Sequence, residues 1–190
     1  MSTFDYLSVF ISIVVGLAVV RVLEGVVTIL DRRSQGVDWL HAAWIGFFVL
    51  YLPYFWWFTF DWRRVDEWRL PIFLFVVFFS MLAYLTTAVL VPTREADVED
   101  LSGYFMKVHS RFFILMALTS ATDVADSFLK PGNMADVGAS YLPVMAVTIG
   151  GNLVAARSTS RRFHRAWVTI SYLILVIFGF GAFADVFSVG

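Results

Sequence analysis

Six long apolar runs, separated by short polar stretches, dominate the pattern along this chain. They fall at about Phe4–Leu30, Trp39–Phe60, Pro71–Val91, Phe112–Leu129, Gly138–Ala156 and Ala166–Phe187. A helix needs roughly 17–25 residues to cross about 30 Å of hydrocarbon, and each run is of that order. The runs are continuously apolar and do not alternate with period two, so a transmembrane β-barrel is excluded. The pattern predicts an all-α fold, a polytopic transmembrane helical bundle of six spans forming one integral membrane domain over residues 1–190. The first run is expected to be a span and not a cleavable signal peptide: no Lys or Arg precedes it, it is too long, and no small-x-small site comes after it.

Composition strengthens this reading. Of 190 residues, 59% are hydrophobic, 18% aromatic and 15% charged, and the mean hydropathy is +0.77. A soluble domain of this size leaves about a third of its unfolded-chain surface exposed and could not hide so much apolar area. The apolar solvent is a lipid bilayer. A net charge of −1 with scattered Arg offers no basic groove for nucleic acid. With no Cys, zinc–thiolate sites, iron–sulfur clusters and thiol catalysis are excluded.

Lys and Arg set the orientation. Loops one, three and five carry nine (Arg32, Arg33, Arg94, Lys107, Arg111, Arg157, Arg161, Arg162 and Arg165), against four elsewhere (Arg63, Arg64, Arg69 and Lys130), with Arg21 left inside a span. Both termini are therefore expected on the non-cytoplasmic side. Trp39 and Trp167 are expected as anchors at one membrane boundary, and Trp56, Trp57, Trp62 and Trp68 at the other.

Ionisable groups inside spans are costly, about 2.5–3.5 kcal/mol at the centre, and they mark the places where chemistry can reside. In the first span Arg21 and Glu24 lie one turn apart and can pair. Ser8, Ser12, Gly16 and Glu24 recur at multiples of four and are expected to form an inward polar stripe. On the fourth span His109, Met116, Thr119, Asp123, Asp126 and Lys130 share one seam that should face the interior. Two carboxylates one turn apart repel when both are ionised, which leaves two alternatives: Asp123 and Asp126 form a cation or proton site, or Asp126 pairs with Lys130 at the outer interface and only Asp123 is submerged. In the fifth span Pro143 with Gly150 and Gly151 suggests either a broken helix or close packing, and Asn152 needs partners for its amide. Pro53 is expected to kink the second helix, and Gly179-x-Gly181-Ala182-x-Ala184-Asp185 gives the sixth a small-residue face. The Phe-rich second and third helices (Phe47, Phe48, Phe73, Phe75, Phe78, Phe79) are expected at the lipid or subunit surface.

His41, His109 and His164 all fall on one side of the membrane, which argues against a transmembrane electron carrier. No His-Glu-x-x-His, Gly-x-Ser-x-Gly, P-loop or paired Asp-rich motif occurs. No enzyme activity, cofactor or metal is expected. Arg21-x-x-Glu24 and Asp123-x-x-Asp126 occupy like positions in the two halves, a faint sign of an inverted repeat.

Phe4-Asp5-Tyr6-x-Ser8-Val9, then Ser12-Ile13, Gly16-Leu17 and Trp39-x-His41-x-x-Trp44, resembles a widespread group of small bacterial multi-pass membrane proteins of unassigned function. The resemblance covers the first third of the chain and implies a bacterial inner-membrane location. The residues themselves leave three classes: translocation of an ion or small solute through a polar interior, a membrane ligand-binding subunit, or a non-catalytic sensor or partner subunit. Translocation would draw on Arg21, Glu24, Asp123, Asp126 and Asn152, lying between the first, fourth and fifth helices. A second copy or a partner membrane subunit is compatible with each class.

With no native Cys, single cysteines at Ser34 and Ser158 test the orientation. Both are expected to react only from the cytoplasmic side, and labelling of both by an impermeant reagent added outside reverses the topology.

Overall fold

The structure, a computed structural model, describes residues 3–31, 37–65, 67–93, 101–130 and 140–187. Among these are six α-helices: α1 (Thr3–Asp31), α2 (Trp39–Thr59), α3 (Leu70–Leu90), α4 (Leu101–Leu129), α5 (Tyr141–Arg157) and α6 (Arg161–Phe187). A 3-10 turn, Phe60–Arg64, continues α2 where the sequence pattern suggested loop. The all-α bundle is as expected. Four stretches, Phe4–Asp31, Trp39–Arg64, Leu70–Leu90 and Gly103–Leu129, are long and apolar enough to cross a membrane.

Helix ends obey local chemistry. Asp38 caps α2, its carboxylate accepting the Leu40 N–H at 3.0 Å, which satisfies one of the orphan donors of a first turn. The same carboxylate takes the Arg161 guanidinium at 2.7 Å, tying the start of α6 to the start of α2. Pro71 sits in the first turn of α3, where its missing N–H costs nothing.

α4 begins eleven residues before the expected Phe112. Leu101, Tyr104, Phe105, Val108 and Phe112 are all buried, a three-and-four spacing that continues the helix under exposed Lys107 and Arg111. Its Tyr104 hydroxyl donates to the Val89 carbonyl at 3.0 Å. The expected start of the fifth span at Gly138 lies outside the described residues.

α2 is the central helix, packed against α1, α3, α4 and α6, while α1 rests on α2 and α3, and α4 lies between α3 and α5. This corrects the expectation that the Phe-rich second and third helices form the outer surface. Phe47, Phe48 and Phe79 are buried, Phe73 and Phe75 half-buried, and only Phe78 of the six is exposed. The Trp44 indole, fully buried, meets the edges or faces of Phe47, Phe112 and Phe113 at centroid distances of 5.4, 5.2 and 5.3 Å, all T-shaped. Such pairs add about 0.5–1.5 kcal/mol each beyond the area they bury. Tyr172 fastens α6 to α2 by donating to the Ala43 carbonyl at 2.7 Å.

The first helix is the second correction. Its buried face is Leu7, Ile11, Val15, Ala18 and Val22, with Gly25 so close to α2 and the end of α3 that an added Cβ would stand 3.0 Å from both Ile45 and Val91. The row Ser8, Ser12, Gly16 and Glu24 therefore turns outward, not inward. Apolar packing chose the aliphatic face for the interior.

α5 and α2 both run without interruption past their prolines. Pro143 falls in the first turn of α5, where the backbone N–H it lacks has no intrahelical acceptor, so the helix is not broken there. Pro53 lies inside α2 with its ring exposed. Gly151 is a packing glycine: a Cβ there would overlap the Trp167 ring, whereas one at Gly150 would meet nothing within 4 Å. Trp167, expected at the membrane boundary, is 5% exposed and belongs to the α5–α6 contact. The side chains of the small-residue face from Gly179 to Asp185 lie outside the described residues.

Gly151→Leu is expected to destabilise the bundle by about 1–3 kcal/mol or more through overpacking against Trp167, with Gly150→Leu near neutral. Unfolding in mixed detergent micelles, monitored by tryptophan fluorescence, measures both.

Candidate functional site

The polar seam of α4 faces inward as expected. Met116, Thr119, Asp126 and Lys130 are buried and Asp123 half-buried. One turn apart on this helix, the two acids meet different partners. Asp126 forms an ion pair with Lys130, both side chains 5% exposed, and its other oxygen accepts the Trp62 indole N–H at 2.8 Å. Lys130 also donates to the Phe58 carbonyl at 2.9 Å and stands 5.6 Å from the Trp62 ring centroid. The 3-10 turn thus serves a purpose: it brings Trp62 under the bundle, where it closes the end of α4. Trp62, expected as a boundary anchor, is 1% exposed and is a ligand of the acid.

Asp123 has no such cation. Tyr141, from the first turn of α5, donates its hydroxyl to Asp123 Oδ2 at 2.8 Å. Ser127, one turn along α4, donates to the Tyr141 oxygen at 3.0 Å. The three form a directed chain, Ser127 to Tyr141 to Asp123, ending on the carboxylate. Among the described residues Asp123 has no second hydrogen-bond partner, so Oδ1 keeps its acceptor capacity. One turn deeper on the same seam, the buried Thr119 hydroxyl also has no partner. A carboxylate bound by a hydroxyl and not engaged in an ion pair offers oxygen ligands to a proton or a small hard cation.

Asn152 sits elsewhere. Its Oδ1 accepts the Trp167 indole N–H at 3.0 Å, joining α5 to α6, and its Nδ2 is buried without a partner. Eleven residues of helix separate it from Tyr141, about 16 Å along the axis. Arg21 and Glu24 pair with each other at 2.6 Å on α1, and α1 packs on α2 and α3. The expected grouping of the first, fourth and fifth helices around one path is not formed: the α1 pair stands apart from Asp123, and Asn152 lies toward the opposite end. The α1 pair faces outward and the α4 acids inward, so the two halves do not present these motifs alike.

The end of the bundle that carries Asn152 also holds the histidines. His41 Nε2 lies 2.8 Å from the Leu90 carbonyl, His164 Nε2 2.8 Å from the Ser158 carbonyl, and the His109 and His164 rings are 5.4 Å apart. No group of three or more possible metal ligands occurs among the described residues.

Sequence reasoning missed Tyr141, Ser127 and Trp62 as site residues. Ser127 was findable, four residues from Asp123 on the same helical face. Tyr141 and Trp62 were not, because their roles depend on which helix ends meet.

Comparison with family models, curated proteins and solved structures finds no match for this chain.

Lys130→Met strands Asp126 in a buried position and is expected to cost about 3–5 kcal/mol. Adding Asp126→Asn should recover most of that loss, and a double-mutant cycle on unfolding free energy reads the coupling.

Proposed function

We propose that this chain is a six-span bacterial inner-membrane protein that binds a proton or small cation at Asp123 as one station of a translocation path. The observation that carries the reading is the difference between neighbouring acids. Asp126 forms an ion pair with Lys130, whereas Asp123 has no ion pair and accepts the Tyr141 hydroxyl, with Lys130 acting on it only at longer range. An intramembrane carboxylate with an open oxygen binds a positive charge more readily than one already paired. Ser127 and Tyr141 orient the carboxylate and give a proton a hydrogen-bonded route to it. The nine-to-four distribution of Lys and Arg supports termini on the periplasmic side. Asp123 then lies toward the exterior, and the resemblance of the first third of the chain supports the bacterial location.

A second reading, a ligand-binding or partner subunit that moves nothing, is favoured by one feature. Trp44, Phe48, Phe112 and Phe113, each at most 1% exposed, fill the bundle between the Asp123 end and the histidine end. Translocation requires these rings to shift, and one-sided binding does not.

Reconstituted liposomes with an internal pH- or cation-sensitive dye separate the two. The wild type is expected to dissipate an imposed proton or cation gradient, and Asp123→Asn, which keeps the shape and removes the charge, to abolish this. Tyr141→Phe, which removes a hydrogen bond worth about 1.5–3 kcal/mol to a charged group, should slow it. Absence of flux under every gradient, or an Asn variant equal to wild type, leaves the binding-subunit reading.

A further inference from the structure

We propose that the outward face of α1 is a self-association surface, against which a second copy of this chain lays the same helix about a two-fold axis along the membrane normal. The inference stands apart from the Asp123 site and does not rest on it.

Charge carries it first. Glu24 is 52% exposed and Arg21 21% exposed, on a helix read as a span. Seven residues from the helix midpoint, Glu24 lies about 10 Å from the centre, inside the roughly 15 Å half-thickness of the hydrocarbon. Lipid tails offer no hydrogen bond to either group. The intrahelical pair at 2.6 Å neutralises the charge but uses only part of the donor set of a guanidinium and the acceptor set of a carboxylate. A second copy supplies what is missing: each Arg21 reaches the partner copy's Glu24, and the four groups together carry no net charge. A patch that contains both signs in equal number is complementary to itself, as an isologous interface must be.

Shape agrees. Ser12 and Gly16 are exposed on the same outward half of α1 as Glu24, Gly16 about 80° from it around the axis. Space around Gly16 is open, with nothing within 4 Å of an added Cβ. The hydroxyls are turned back on their own helix: Ser12 donates to the Ser8 carbonyl at 2.6 Å and Ser8 to the Asp5 carbonyl at 2.8 Å. They present small volume and no unmet polarity, which is what close approach of two membrane helices requires. Beside Glu24 a shallow depression lined by Val20, Leu23, Glu24, Val27 and Thr28 gives a facing side chain a seat. None of these side chains supports the fold of its own copy, since α1 turns Leu7, Ile11, Val15, Ala18 and Val22 to the core.

The test uses the full, naturally Cys-free chain in liposomes. Single cysteines at Ser12 and Gly16 are oxidised and compared with Val147→Cys, an exposed position on α5. Disulfide-linked dimer is expected at 12 and 16 and not at 147. With Ser12→Cys as reporter, Glu24→Arg is expected to lower the dimer yield about tenfold, and the charge-swapped Arg21→Glu/Glu24→Arg chain to restore it. Equal yields at all three positions, or a swap that fails to restore dimer, overturns the proposal. Photobleaching of singly labelled wild type in bilayers gives a second readout, two steps being expected. One step at every protein-to-lipid ratio means that lipid alone covers this face, and overturns the proposal as well.

Discussion

The burial of Trp44 fixes the placement of the other helices. Its indole has 0% exposure and makes three edge contacts, two of them to Phe112 and Phe113 on α4. Two rings from α4 reach it, which sets α4 alongside α2 at this level. With α4 held there, its Asp123–Asp126–Lys130 seam is turned toward the 3-10 turn and the start of α5, and Trp62 and Tyr141 arrive as partners. With α2 at the centre, α1 is left with two neighbours and one free face.

The two ends of the bundle handle polarity differently. At the end of Asp123 and Asp126 the polar groups form short chains: an ion pair capped by an indole, and a serine–tyrosine–aspartate relay. At the other end several single side chains close backbone carbonyls, as His41 does at Leu90, His164 at Ser158 and Tyr104 at Val89, beside the Asp38–Arg161 ion pair and the Asn152–Trp167 bond. Hydrogen bonds of the second kind finish helix ends and seal loops. Those of the first kind hold charge inside the bundle, at an energetic cost.

Apolar run length and helical spacing were legible without tertiary information, because each depends on residues a few positions apart. From them came the helices, the inward seam of α4 and the Asp126–Lys130 pair, all set by the 3.6-residue period. The start of α4 was hidden by Lys107, His109 and Arg111, which sit among buried residues of an amphipathic turn. Aromatic bulk hinders close backbone approach and so points to the surface, yet Phe47 and Phe48 interlock edge-on with rings of α6 and α4 and fill the centre.

What the sequence determined by itself was the solvent: 59% hydrophobic residues in six long runs admit no other. It also determined which side chains on each helix share a face. What only the tertiary structure decided was which face turned inward. On α1 an aliphatic row and a polar row compete, and the aliphatic row is buried against α2 and α3. On α5 the same packing made Gly151 a seat for Trp167 instead of a break. Periodicity defines faces, but the choice among them belongs to the neighbours, whose identity is a property of the whole chain.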